Sequence, residues 1–508
     1  MGQTGSLNPL TVCAENAARR PVWIRWIVFV GIALLGLAVR LPQLGARPMH
    51  TDEAVNAYIV GQLLAGHSYT YDARDRHGPA LAALALPLVR MQGAKSFADL
   101  TESELRLTDV AAGTVTILLF GAAVEMFGFA PSVIAALLFA FAPLPVYYDR
   151  YFIHESLFVA AAFGLILAGW RAWRERSLAH TALAAACAAL MLVCKETAVL
   201  HFFALGVAAL VFWLWNLRGE RRGGVRLGVV SAAAAVFLVL SVMLFTWFGS
   251  KWQVLSVLIH AGPNMLARAS GEGHEKPFWY FGRLLLGGWS GGLIAALALS
   301  GLFITMRKRD GSPYEFLGWY AVFIAIIYSV IPYKTPWLAL NFFLPVALFA
   351  GLAVKWLWCL PATYPAVRIS MKAFCVVLGV VAAVLIAHDT RDRVFAHAAE
   401  ESNPYAYAHT SEDLLGLPGE IAEVARKDGL ASPRIAVIAS DPWPLPWYLR
   451  HNAEVGFWQP GQQVGQADFY ITSTEAADQY RDQLKDFQPE FFGMRPGVLI
   501  LLWEPAPK

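Results

Sequence analysis

The chain has 508 residues, 57% of them hydrophobic and 15% charged, with 18 tryptophans and a formal net charge of +3. That apolar share exceeds the roughly 45–50% of soluble domains, so the chain reads as an integral membrane protein. The near-neutral charge argues against a nucleic-acid partner. The five cysteines (Cys13, Cys187, Cys194, Cys359 and Cys375) fall in the N-terminal tail or in and beside apolar runs. They imply no disulfide framework, and none of their spacings resembles a zinc site.

In chain order, residues 1–22 read as a cytoplasmic tail with no small-residue cleavage site. Apolar runs near the ~20 residues a bilayer needs follow at 23–43, 106–126, 131–148, 155–172, 179–194, 197–216, 226–248, 283–305, 315–332, 337–356 and 371–388, about eleven crossings in a polytopic α-helical domain over 23–388. The apolar segment 79–91 falls in the ~10–14-residue class that lies in the interface or re-enters. Loop charge decides its placement. With 79–91 as a juxtamembrane helix, Arg19, Arg20 and Arg25 share the cytoplasmic side with Arg171/Arg174/Arg176, Arg218/Arg221/Arg222/Arg226, Arg307/Lys308/Arg309 and Lys355/Arg368/Lys372. Counted as a crossing, it puts most of these clusters outside, against the positive-inside rule.

The external face then holds the first loop 44–104 with its juxtamembrane helices, the short loop 149–155, Lys195-Glu196, the loop 249–282, Tyr333–Trp337 and everything after 389. The glycines and length of 249–282 suggest a mobile lid or an interfacial hairpin. Beyond 389 the apolar runs stop. Strand patterns at 434–439, 468–472 and 498–503, with helix-like patterns at 418–427 and 475–484, describe a small external α/β domain over 389–508.

Polar residues at helix ends of a membrane protein often mark function. In chain order they are Thr51-Asp52-Glu53-Ala54, Tyr71-Asp72 with Arg76-His77-Gly78-Pro79, Arg106-Leu107, Tyr148-Asp149-Arg150-Tyr151 with His154-Glu155, and Cys194-Lys195-Glu196-Thr197. His274-Glu275-Lys276-Pro277, Pro332-Tyr333-Lys334-Thr335-Pro336-Trp337 and Trp443-Pro444-Leu445-Pro446-Trp447-Tyr448 complete the set. Two adjacent carboxylates outside a bilayer can act as a base, and acids also favour the first turn of a helix. Both readings of Asp52-Glu53 stand on residues alone.

The order of these motifs relative to the crossings resembles the GT-C glycosyltransferases. Within them it resembles the protein O-mannosyltransferase and aminoarabinose-transferase branch (families 39 and 83), including its flippase-associated surface-glycosylation members. The resemblance implies a GT-C-like membrane domain that takes a sugar from a polyprenyl-phosphate donor and gives it to a glycan, lipid or protein acceptor outside the cytoplasmic (inner) membrane; no cofactor is expected, and neither the resemblance nor the spacing of His50, His77, His154 and His274 indicates a divalent metal. It makes Asp52 the general base, with Glu53 orienting it or the acceptor, and aligns Asp149 or Glu155 with a second acid. Arg150, Lys195 and Lys334 are candidates for the donor phosphate; His77, Glu196, Tyr333, Trp337, His274 and Lys276 are candidates for substrate contact.

Each has a plainer reading beside it. Arg150 can form a helix-end ion pair, Lys195 a buried pair with Glu196, and His77 a helix cap. Tyr333 and Trp337 can belong to an aromatic belt. The segment around Trp443–Tyr448 suits acceptor recognition or packing. A lipid-linked-sugar flippase or a non-catalytic scaffold of the same fold are the alternative functions; against the flippase, transporter sites sit near the midplane on broken helices.

Overall fold

A backbone in hydrocarbon must satisfy its own hydrogen bonds, so the apolar runs become helices. The computed structural model describes residues 21–72, 76–216, 227–260, 262–271, 273–308, 310–360 and 364–506. The expectations for the N-terminal tail, for Arg218–Arg226 and for Arg309 lie outside them. The helices are α1 (Val22–Arg40), α2 (Thr51–Leu64), α3 (Ala80–Met91), α4 (Glu102–Phe127), α5 (Phe129–Phe141), α6 (Pro143–Tyr148), α7 (Glu155–Glu175), α8 (Leu178–Cys194) and α9 (Ala198–Trp215). They continue as α10 (Leu227–Phe245), α11 (Val254–Ile259), α12 (Gly262–Ala269), α13 (Tyr280–Leu286), α14 (Gly288–Lys308), α15 (Pro313–Val330), α16 (Leu340–Trp358) and α17 (Pro365–Thr390).

Every expected crossing is helical. Among the described residues, nine helices are long and apolar enough to cross a membrane: α1, α4, α7, α9, α10, α14, α15, α16 with its leading turn, and α17. The chain is a multi-pass membrane protein. The run expected over 131–148 divides because Ala142 is extended (ψ 145°) ahead of Pro143, which opens α6; a residue before proline avoids the helical region. This leaves α5 with 13 residues, about 20 Å at ~1.5 Å per residue and short of the ~30 Å hydrocarbon core. The 12 residues of α3 are likewise too few to cross. Cys187, Cys194 and Cys375 are free thiols, but Cys359 is disulfide-bonded. The sequence implied no disulfide framework, and the bond at Cys359 departs from that reading.

The chain divides into two compact units. The membrane unit comprises Met1–Pro42, Ser68–Ala83 and Leu107–Ala396; the second comprises Gln43–His67, Leu84–Arg106 and His397–Lys508. Most of the first loop therefore packs with the C-terminal part rather than with the crossings. The last crossing also runs past 388, through α17 and a π-helical turn at Arg391–Ala396. In the membrane unit α16 is the central helix, packed on α5, α14 and α7.

The C-terminal part adds α18 (Leu417–Lys427), a short α19 (Leu445–Tyr448) and strands β1 (Arg434–Ile438), β2 (Glu454–Trp458), β3 (Phe469–Ser473), β4 (Phe487–Arg495) and β5 (Val498–Pro505). They form one sheet in the order β2-β1-β3-β5-β4. β1 is parallel to β2 and β3, and β5 is antiparallel to β3 and β4. β1, β3 and β5 match the expected strands; β2 and β4 are the two edges. The helix expected at 475–484 is three short turns, Thr474–Ala477, Asp478–Tyr480 and Arg481–Leu484.

Candidate active site

The Asp52-Glu53 pair opens α2, and its two carboxylates have separate fates. Glu53 is fully buried. Its Oε1 and Oε2 accept from Arg106 Nε and Nη2 at 2.7 and 2.8 Å, and Oε2 also accepts from the His50 amide at 3.1 Å. The same guanidinium donates to the carbonyls of Leu44, Arg47 and Pro48, so Arg106 folds the entry to α2 around itself. Glu53 is thus an anchor, and both its oxygens are engaged. Asp52 at the next-door position is exposed. It is the carboxylate of the pair that faces solvent.

The aromatic and proline-rich segment packs inside this same unit. Trp447 is buried, donates from Nε1 to Glu102 and carries Arg450 over its ring at 3.8 Å. Tyr448 accepts from the Met49 amide at 2.8 Å. Packing is therefore the role seen for Trp447 and Tyr448, which have no face left for carbohydrate stacking.

In the membrane unit the helix break between α8 and α9 holds Lys195 and Glu196. Lys195 caps α8 in an extended conformation and pairs with the buried Glu155 at the start of α7. Burial opposes its charge, but the Glu155 carboxylate outweighs burial and raises Lys195 above the usual lysine range. Glu196 turns instead to His77, whose Nδ1 lies 2.7 Å from Oε2, while Tyr71 donates to Oε1 at 3.0 Å. The Lys195–Glu196 pair considered above is not the one formed. His154 stands between the two pairs with its ring 4.9 Å from that of His77. Burial, with His77 and Lys195 beside it, holds His154 well below the usual histidine range. Gly78 lets this segment lie against α8: a Cβ there would meet the Val193 carbonyl oxygen at 2.1 Å.

Burial works against the charge of Glu196, but His77 and Tyr71 outweigh it and bring the carboxyl down from 4.5 to about 2. A folded value below the unfolded one contributes stability above the unfolded value, lost as pH falls through the folded one. The expected result is a melting temperature that drops more steeply in the wild type than in Glu196→Gln between pH 4.5 and about 2, read by thermal denaturation in detergent.

The second acid resolves into two different residues. Asp149 is fully buried and accepts from Arg40 Nε and Nη2 at 2.9 and 2.7 Å and from Ser156 at 2.7 Å. Burial lifts its carboxyl while Arg40 and Ser156 pull it down. Gly113 makes room for it, since a Cβ there would lie 2.1 Å from Asp149 Oδ2. Arg150 donates to the carbonyls of Arg40 and Pro42 and lies over Phe395 at 4.8 Å, so it fixes the end of α1. Glu155, by contrast, belongs to the Lys195 cluster.

The remaining candidates meet at a β-bridge between Glu275 and Tyr333. Lys276 and Lys334 enter it through their amides, which donate to the carbonyls of Pro332 and His274, and the His274 ring is 4.8 Å from that of Tyr333. Lys334 is buried, its ammonium donating to the Ile331 and Lys276 carbonyls, and burial pulls it below the usual lysine range. Trp337 is buried with its ring 6.3 Å from Tyr151, so it packs rather than lines an open groove. Among the described residues, Glu420, Glu490 and Glu504 form the one group of three metal-ligating side chains with atoms close enough to share an ion. It lies on the C-terminal sheet and α18.

Sequence reasoning missed Arg40, and it marked Arg106 as a motif residue without finding Glu53 as its partner. A lone arginine closing an apolar crossing was the available signal for Arg40, because such a residue is costly unless paired. It also missed His201, whose Nδ1 and Nε2 lie 2.7 and 3.1 Å from the hydroxyls of Tyr320 and Tyr328 inside the membrane unit.

Residues 91–259 match the family described as dolichyl-phosphate-mannose-protein mannosyltransferase. No curated protein matches the sequence. Among solved structures, ArnT from Cupriavidus metallidurans bound to undecaprenyl phosphate is similar with a TM-score of 0.63 at 17% identity, over 94% of this chain and 98% of that one. The oligosaccharyltransferase AglB from Archaeoglobus fulgidus, in complex with an inhibitory peptide and a dolichol-phosphate, has a TM-score of 0.55 at 13% identity, over 94% and 74%. The arabinofuranosyltransferase AftD from Mycobacteria has a TM-score of 0.51 at 13% identity, over 94% and 40%. At these identities the likeness is one of fold. The chain has the polytopic GT-C fold with a small C-terminal sheet, as the motif order implied.

Proposed function

We propose that this chain is a membrane glycosyltransferase that moves a sugar from a polyprenyl-phosphate donor to an acceptor hydroxyl on the external face of the cytoplasmic membrane, with Asp52 as general base. The observation that carries this reading is the division of labour in the acidic pair. Glu53 anchors α2 through Arg106, which leaves Asp52 exposed in the first turn of that anchored helix. In the proposed step the acceptor oxygen bonds to the anomeric carbon, the bond from that carbon to the phosphate oxygen breaks, and the acceptor proton passes to Asp52. Polyprenyl phosphate leaves. Proton removal of this kind contributes about 10²–10⁴-fold to a rate.

The membrane unit's own polar cluster offers groups suited to a phosphate. His77 keeps about a third of its side chain exposed, 31%, and Glu196 orients it through Nδ1, which leaves Nε2 for an oxyanion. Lys195 supplies a fixed positive charge and Glu155 keeps it protonated. The lipid carriers named for ArnT and AglB support a polyprenyl-phosphate donor, and the mannosyltransferase match over 91–259 supports sugar transfer. The basic clusters of the alternate loops support a cytoplasmic N-terminus and an external C-terminal part.

Mass spectrometry of lipid-linked sugars and surface glycans from a strain lacking the chain tests the assignment. One polyprenyl-phosphate sugar is expected to accumulate and one glycan to disappear. Unchanged pools of both contradict it.

A further inference from the structure

We propose that His50 is a positioning residue for Asp52, and that the C-terminal segment Tyr407–Thr410 with Tyr448 holds it in place. The inference rests on the reading of Asp52 as the base. It concerns a part of the chain that touches no reacting atom.

His50 is the N-cap of α2, with φ −70° and ψ 157°. N-caps are commonly Ser, Thr, Asp or Asn, whose short side chains take one helix amide. Histidine takes one too, and its ring has a second nitrogen on the far side. Here Nδ1 lies 3.0 Å from the Asp52 amide and Nε2 lies 3.0 Å from the Tyr407 carbonyl oxygen. The partners fix the tautomer: the amide is a donor, so Nδ1 accepts, and the carbonyl accepts, so Nε2 carries the proton. The ring therefore ties the first turn of α2, where Asp52 sits, to a backbone 357 residues further along the chain.

The residue before it is held from the same side. The Met49 amide donates to the Tyr448 hydroxyl at 2.8 Å, and the Thr410 hydroxyl donates to the Met49 carbonyl at 2.6 Å. Three hydrogen bonds from the C-terminal part thus close on Met49 and His50. His50 and Thr410 are buried, and the His409 ring lies 5.6 Å from that of His50 at an interplanar angle of 32°. Burial keeps His50 neutral against the pull of Asp52 and Glu53, as an accepting Nδ1 requires. The C-terminal part thereby sets the direction of the Asp52 carboxylate without contacting substrate, and a helix start free to fray would let that carboxylate wander.

The test uses the full chain in lipid nanodiscs with radiolabelled undecaprenyl phosphate hexoses as donors and membranes from a strain lacking the chain as acceptor. His50→Leu and Thr410→Val are expected to lower kcat at least about tenfold with donor KM within about twofold, because small misplacements of a reacting group act on the chemical step. His50→Asn, whose Oδ1 can take the Asp52 amide, is expected to recover most of the rate. Hydrogen exchange at the amides of Asp52–Ala54 should quicken in His50→Leu and return toward wild type in His50→Asn.

Wild-type kcat in His50→Leu and Thr410→Val beside a dead Asp52→Asn overturns the inference and leaves the base assignment standing. A failure of His50→Asn to recover rate or exchange protection overturns it as well. Full transfer by Asp52→Asn overturns the base assignment instead, while the exchange measurement still decides whether His50 holds the helix start. Should His50→Leu fail to fold, Thr410→Val and His50→Asn carry the same decision.

Discussion

Asp52→Asn is expected to lower kcat for sugar transfer by about 10²–10⁴-fold, the contribution of a general base, with donor KM and melting temperature near those of the wild type. The side chain is exposed and its backbone amide, not its carboxylate, serves the helix cap, so the amide substitution removes the base and little else. Glu53→Gln at the next position should behave in the opposite way. It cuts into a buried ion pair with Arg106 and is expected to lower stability first. Adjacent residues with opposite phenotypes would separate a catalytic acid from an anchoring one. Initial rates and thermal unfolding of both variants in the same detergent make the comparison.

Arg106→Leu is expected to be the most damaging single change to folding in the first-loop unit. It strands Glu53 as an unpaired buried carboxylate, and breaking such a pair from one side costs about 3–5 kcal/mol. The carbonyls of Leu44, Arg47 and Pro48 lose their donor at the same time. Lysine should not substitute, because one ammonium cannot reproduce the planar fork that serves a carboxylate and three carbonyls together. Removing both partners, with Glu53→Leu added, should restore part of the loss, since no buried charge is then left alone. Limited proteolysis within 43–67 and thermal unfolding read the effect.

The membrane part was legible because its physics is one-dimensional. A run of apolar residues long enough for the bilayer must be helical, so the expected crossings are found as helices; proline at 143 explains where 131–148 divides, and 283–305 divides at the extended Gly287. In the C-terminal sheet the alternation and β-branched content of β1, β3 and β5 were readable. The edge strands were not: β4 contains Pro489 and Gly493, which read as breakers, yet an edge strand tolerates proline because one side of it makes no ladder. β2 spans only Glu454–Trp458 and is buried weakly along its length.

The polar residues were legible as a set and illegible as pairs. Asp52, Lys195 and His77 were picked out by type and place. Nothing local could say that Asp149 would take Arg40, that Lys195 would choose Glu155 over its neighbour Glu196, or that Lys334 would turn its ammonium onto backbone carbonyls. Each of those partners comes from a distant helix or a turn of backbone, and burial then fixes the choice because an unpaired charge in a dry interior is expensive. The grouping of most of the first loop with the C-terminal part was hidden for the same reason: Met49 and His50 lie far along the chain from Tyr407, Thr410 and Tyr448 and meet them through hydrogen bonds between side chains and backbone.

The most direct measurement is single-turnover transfer by the full chain in lipid nanodiscs, with undecaprenyl phosphate hexoses as donors and membranes of a strain lacking the chain as acceptor. The expected result is movement of label from one lipid donor to the acceptor with release of undecaprenyl phosphate, abolished by Asp52→Asn. Translocation of the labelled lipid across a bilayer with no sugar transferred, or transfer that Asp52→Asn leaves intact, would contradict it.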